Sequence, residues 1–113
     1  MKLVEKSISL EDLKKMSSRL FGGFVKAVVD IKKEIMVVDA AMHADEEKCL
    51  LDNGSKQDDL WGINLYPELS GEDFIEFDSV INLRPRLNNF SREVENKEIR
   101  KKIIKIVNKL VRR

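Results

Sequence analysis

Apolar and polar residues alternate between Leu60 and Arg84, and this alternation is the clearest structural pattern in the sequence. A period of two residues is typical of a β-strand with one buried face and one solvent-facing side. Pro67, Ser70 and Gly71 interrupt the pattern, and because these residue types favour turns, the stretch predicts an antiparallel hairpin. Four side chains on the apolar parity are expected to be largely buried: Trp61, Ile63, Phe77 and Ile81.

Two β-branched runs, at 24–31 and 35–38, flank a short polar connection and predict a second hairpin. Residues 2–5 are expected to form a short strand or arm. Apolar stripes at helical spacing and capping residues predict three helices, which run from Ser9 to Gly22, from about Asp45 to Asn53, and from Asn96 to about Val111.

The predicted order of elements is α-β-β-α-β-β-α, which places the chain in the α+β class. We expect a two-layer fold, with a roughly four-stranded, largely antiparallel sheet and the helices packed on one of its faces. A length of 113 residues fits one α+β domain covering residues 1–113.

The composition favours a soluble protein in a reducing compartment. Hydrophobic residues make up 42% of the chain and charged residues 36%, and no apolar run reaches the length of a membrane span. The first residues are too polar for a signal peptide, and the single cysteine, Cys49, cannot form an internal disulfide. We therefore expect a cytoplasmic protein with no membrane partner and no zinc site built from cysteines.

The net charge of +1 conceals a separation of charge along the chain. Residues 41–83 carry two Lys and eleven Asp or Glu, a net of −9, whereas residues 84–113 carry eleven Lys or Arg and three Glu, a net of +8. A basic segment of this kind can bind nucleic acid. It can equally neutralise the acidic segment of the same chain, or of a second copy in a homodimer. We expect neutralisation rather than nucleic-acid binding.

The polar parity of the predicted sheet, with the segment that follows it, defines a candidate functional surface. The side chains suited to binding are Lys26, Asn64, Asn82, Arg84, Arg86 and Arg92. The candidate catalytic residues are His43, Glu76 and Asp78, because imidazole and carboxylate groups serve as acids, bases or ligands.

Three classes of function fit these residues. The leading hypothesis is a binding or interaction module that uses the polar sheet face and needs no cofactor, because no nucleophile–base pair, phosphate loop or strong metal spacing is present. The first alternative is a hydrolytic enzyme with an acidic site, with or without the assistance of a metal ion. The second is a nucleic-acid binder that uses the basic C-terminal third, with Arg84, Arg86 and Arg92 as its main contacts.

His43, Asp45 and Glu47 alternate along the chain, and this spacing makes them candidates for metal ligands. In an extended segment all three side chains point the same way, whereas in a helix only those of His43 and Glu47 do. One histidine with carboxylates is a loose pattern for a metal site. The sequence therefore favours the start of a helix with an acidic first turn, and no metal.

Four blocks of the sequence are distinctive: VKAVVDI at 25–31, HADEE at 43–47, GSKQDDLWGINLYPE at 54–68 and FIEFDSVINLRP at 74–85. Together they resemble a family of small prokaryotic proteins catalogued as domain of unknown function 5674, and the resemblance covers most of the chain. It implies no activity, no cofactor and no catalytic residues. It also implies a glycine in the first hairpin turn, where this chain has Glu34.

Overall fold

The computed structural model describes residues 1–113 and has an α+β fold, as the sequence predicts. Its elements in chain order are β1 (Lys2–Val4), β2 (Ile8–Ser9), α1 (Leu10–Leu20), β3 (Val25–Asp30), β4 (Ile35–Val38), α2 (His43–Asp52), β5 (Leu60–Leu65), β6 (Ile75–Glu76), α3 (Lys97–Leu110) and β7 (Val111–Arg112). Five strands form an antiparallel sheet in the order β1-β4-β3-β5-β6, and β2 pairs with β7 in a separate parallel pair. None of the three helices is both long and apolar enough to cross a membrane.

Helices α1 and α3 pack against one face of the sheet, as their apolar stripes predict. The core there contains 19 buried hydrophobic residues from both helices and from strands β1, β3, β4 and β5, among other segments. The predicted caps are also present. The Ser9 hydroxyl accepts a hydrogen bond from the Asp12 N–H, and the Asn96 side chain accepts from the second and third residues of α3.

Helix α2 lies on the opposite face of the sheet, so the expectation that all helices pack on one face is wrong for this helix. Its Leu50 packs with Val28, Val37 and Leu60 in a second, smaller hydrophobic cluster. The three buried residues of α2 are His43, Glu46 and Leu50, which follow each other at helical spacing. Because two of these three residues are polar, the helix has no apolar stripe from which its position on the sheet could be predicted.

The second strand of the central hairpin is much shorter than the alternation predicts, because β6 has only two residues. Trp61 and Ile63 are buried as predicted, at 2% and 0% exposure, but Phe77 and Ile81 are only half-buried. Phe77 packs against the larger cluster and Ile81 against the smaller one, so the two side chains lie on opposite faces of the sheet. The apolar alternation after Glu76 therefore does not come from a strand.

The side chain of Asn82 takes the place of a strand beside β5. It accepts a hydrogen bond from the Gly62 N–H at 2.8 Å and donates to the Gly62 carbonyl at 2.9 Å. Ser79 lies directly over Gly62, where a Cβ would come within 2.5 Å of the Ser79 Cβ. The chain can cross β5 at this point because residue 62 has no side chain.

The turn between β3 and β4 holds Glu34 in the left-handed region, with φ of 59°. Glycine adopts this conformation without strain, whereas other residues lose about 1–2 kcal/mol. The position is therefore one where a glycine would be expected, although Glu34 is present. The Glu34 carboxylate also pairs with Lys109 Nζ at 2.9 Å, which links this turn to α3.

Candidate functional site

The sheet face that carries α2 also brings together most of the residues proposed from the sequence. Six of those nine candidates lie on this face or at its margin: Lys26, His43, Asn64, Glu76, Asp78 and Arg92. We call these six residues, with Glu46 and Tyr66, the polar site. Lys26, Asn64 and Glu76 are direct cross-strand neighbours in β3, β5 and β6. The register of the sheet alone therefore brings them together.

The carboxylates of Glu76 and Asp78 are occupied by donors of the same chain. Glu76 Oε1 accepts hydrogen bonds from Asn64 Nδ2 at 2.9 Å and from the Tyr66 hydroxyl at 3.0 Å. Asp78 Oδ1 pairs with Arg92 Nε at 2.7 Å. Burial, with help from the bond to Glu76, raises the pKa of Tyr66, which keeps its hydroxyl a donor. Glu76 and Asp78 thus link Asn64, Tyr66 and Arg92 to one another, through one oxygen of each carboxylate and the Asp78 backbone carbonyl.

His43 is the first residue of α2, and its ring is buried against β5. The ring Nε2 lies 2.8 Å from the Ile63 carbonyl oxygen. Because a carbonyl only accepts, Nε2 carries the proton, and in the neutral ring Nδ1 keeps its lone pair. Burial lowers the pKa of His43, partly offset by the bond to Ile63. The ring is therefore neutral near pH 7, and its Nδ1 has no hydrogen-bond partner in the chain.

Glu46 belongs to this site, although in the sequence it is marked only as an acidic residue in the first turn of a helix. Its side chain is fully buried, and burial raises its pKa to about 9, so the carboxyl group is protonated near neutral pH. Oε2 accepts a hydrogen bond from the Ala40 N–H at 3.0 Å, but Oε1 has no partner. It shares one face of α2 with His43 and Leu50, and that face becomes evident only once the helix is placed over the sheet.

Lys26 forms no ion pair, although Asp and Glu residues are abundant around it. Its Nζ lies 5.3 Å from the centre of the Phe21 ring, which stacks on Phe24 at 4.7 Å. Phe24 in turn contacts Tyr66, with ring centres 5.5 Å apart. Phe21 and Phe24, which no sequence pattern marks as site residues, form an aromatic wall beside the polar site.

Three of the proposed binding residues lie outside the polar site. Asn82 is completely buried, and its side chain is hydrogen-bonded to the backbone of Gly62. Arg84 pairs with Glu47 on α2, and Arg86 pairs with Asp58. These two arginines form a separate group with its own cavity.

The three residues weighed as metal ligands point to different places. Helix α2 begins at His43, two residues before the predicted start, so the segment is not extended. His43 contacts the Ile63 carbonyl, Glu47 pairs with Arg84, and Asp45 is exposed. No group of three or more His, Cys, Asp or Glu side chains in the structure is placed to hold a metal ion.

Comparison with known proteins gives a family match for nearly the whole chain. Residues 2–110 match the model of a family described as "Protein of unknown function (DUF5674)". The chain matches no curated protein and no solved structure. The match agrees with the resemblance seen in the sequence blocks, and it assigns no activity.

Proposed function

We propose that this chain, which belongs to the DUF5674 family of proteins of unknown function, is a binding module whose polar site takes a small polar ligand. Two buried side-chain oxygens without a hydrogen-bond partner, Glu46 Oε1 and Asn64 Oδ1, are the observation that carries this proposal. Buried polar atoms without a partner are rare and costly in folded proteins. A bound ligand would supply the missing partners.

The groups around these oxygens indicate the chemistry of the ligand. Lys26 has an ammonium group without a carboxylate partner, which suits an anionic group. Glu46 Oε1 belongs to a protonated carboxyl group and can donate a hydrogen bond, whereas Asn64 Oδ1 can only accept one. The complementary ligand is therefore a small carboxylate with a neighbouring hydroxyl or amino donor.

Glycolate and acetate are matched probes for this proposal, because both are carboxylates and only glycolate carries the adjacent hydroxyl donor. In a titration followed by ¹H–¹⁵N NMR, we expect glycolate to shift the amide signals of Lys26, Asn64 and Glu76 more strongly than acetate does. Lys26→Met should abolish these shifts, and Lys56→Met, an exposed lysine without an ion pair, should retain them. Equal shifts with both probes, or shifts that survive Lys26→Met, would contradict the proposal.

A hydrolytic enzyme is the second candidate, and the orientation of His43 favours it. The bond to the Ile63 carbonyl fixes the tautomer and leaves Nδ1 as the basic nitrogen, which is the arrangement a general base needs. The lowered pKa keeps that nitrogen unprotonated near pH 7. Hydrolysis of an activated ester that is unchanged in His43→Gln would remove this candidate.

Internal neutralisation of charge is the role we propose for the basic segment. Three ion pairs support it, because each joins an arginine of residues 84–113 to a carboxylate of residues 41–83: Arg84–Glu47, Arg86–Asp58 and Arg92–Asp78. The three arginines named as nucleic-acid contacts are the ones engaged in these pairs.

A cytoplasmic location and a homodimer stay predictions.

A further inference from the structure

Two short 3₁₀ turns, Val80–Asn82 and Pro85–Leu87, form one wall of a cavity of about 430 Å³ beside α2. Arg84 and Arg86 flank Pro85 and both line this cavity, together with Glu47 and Gln57. Behind them, Asn89 Nδ2 lies within hydrogen-bonding distance of three carbonyl oxygens of the same loop, and its two hydrogens are shared among these acceptors. Hydrogen bonds within the loop therefore support the wall of the cavity.

Arg84 has hydrogen-bonding capacity that the chain leaves unused. Its side chain is only 7% exposed, Nη2 lies 3.2 Å from Glu47 Oε2, and the guanidinium lies 5.2 Å from the Trp61 ring centre. Nη1 is buried without an acceptor, and so is Nε1 of Trp61. Both groups are donors only, and a guanidinium does not lose its proton in proteins. Two neighbouring buried donors therefore lack an acceptor.

Arg86 provides a second positive charge that can reach the cavity. Its pair with Asp58 is exposed, with 57% and 50% of the two side chains accessible. Exposed ion pairs contribute little free energy, so Arg86 can exchange Asp58 for another anion at small cost. A ligand group with about one negative charge could take the place of Asp58 beside Arg86, while Glu47 stays paired with Arg84.

We propose that this cavity is an oxyanion site, in which Arg84 and Arg86 bind a carboxylate or phosphate group of a small ligand. The site is distinct from the polar site, because none of the polar-site residues lines the cavity. Carboxylate and phosphate groups share the chemistry that Arg84 requires, namely acceptor oxygens with negative charge.

Fluorescence of Trp61, the single tryptophan of the chain, gives a direct test. The full-length protein is titrated with sodium phosphate, with sodium acetate and with sodium chloride at constant ionic strength. We expect a saturable change in emission with phosphate or acetate and none with chloride. A response to either oxyanion supports the proposal, and the stronger of the two tells whether the natural group is a phosphate or a carboxylate.

Variants distinguish binding at this site from a general effect of salt on the fluorescence. Arg86→Ala should weaken the apparent affinity about tenfold, as expected for the loss of one charged hydrogen bond. Arg84→Met should abolish the response, with circular dichroism used to verify folding. Arg19→Ala removes an exposed arginine that pairs with Asp39 elsewhere and should leave the response unchanged. No saturable change, an equal response to chloride, or an unaltered response in Arg86→Ala would overturn the proposal.

Discussion

Asn82→Ala is expected to lower the free energy of unfolding by about 3–5 kcal/mol. The Asn82 side chain makes three hydrogen bonds to backbone groups, two to Gly62 and one to the Arg92 carbonyl. Alanine removes all three bonds and leaves the backbone groups of Gly62 buried, where each unsatisfied group costs about 1–3 kcal/mol. Chemical denaturation of the variant and the parent protein measures this loss.

Asn108→Ala is the matched control, because Asn108 is exposed on α3 and makes no side-chain hydrogen bond within the chain. Its effect should stay within about 0.5 kcal/mol. If Asn82→Ala were as mild as this control, Asn82 would not be the group that replaces a strand beside β5. It would then have to be considered again as a ligand-binding residue.

Glu46→Gln is expected to raise the free energy of unfolding by about 2–4 kcal/mol near pH 7.5. Burial raises the pKa of Glu46 from 4.5 to about 9, whereas the unfolded chain keeps the ordinary value. Between these two pH values the folded protein binds more protons at Glu46 than the unfolded chain does, so stability falls as the pH rises. Glutamine has no ionisable group and keeps an oxygen for the Ala40 N–H, so it removes this loss.

Urea denaturation of Glu46→Gln and the parent protein at several pH values checks the sign of this effect. The two proteins should be nearly equally stable near pH 4.5, and the advantage of the variant should grow towards pH 9. Asp45→Asn, at an exposed position in the same helical turn, should show no such growth. A constant difference between Glu46→Gln and the parent across the pH range would mean that Glu46 is ionised in the folded protein.

The parts of the fold that follow from strict periodicity were predictable from the sequence. Strands β3 and β5 and the helices α1 and α3 carry regular apolar patterns, and the structure places them as expected. Helix α2 could not be placed, because two of its three sheet-facing residues are His43 and Glu46. The predicted length of β6 was wrong for a different reason. Hydrogen bonds from the Asn82 side chain take the place of the strand-to-strand backbone hydrogen bonds that the alternation predicts.

The polar site was predictable where it depends on strand parity. Lys26, Asn64 and Glu76 occupy adjacent strands in register, so their clustering follows from the hairpins. The burial of Glu46 depends on the position of α2 over the sheet, which no local pattern encodes. Arg84 was named as a binding residue from strand parity and Arg86 from the segment that follows the strand, and only the tertiary pairs with Glu47 and Asp58 separate them from the polar site.

Crystallographic screening of small hydroxy and amino carboxylic acids tests the central claim, that the polar site binds a ligand, most directly. We predict electron density for a bound acid within hydrogen-bonding distance of Lys26 Nζ and Asn64 Oδ1, and its loss in crystals of Lys26→Met. Bound acids found only on other surfaces would contradict the claim. An ordered water that bridges Glu46 Oε1 and Asn64 Oδ1 in every crystal would also contradict it, because that water would already supply the missing hydrogen bonds.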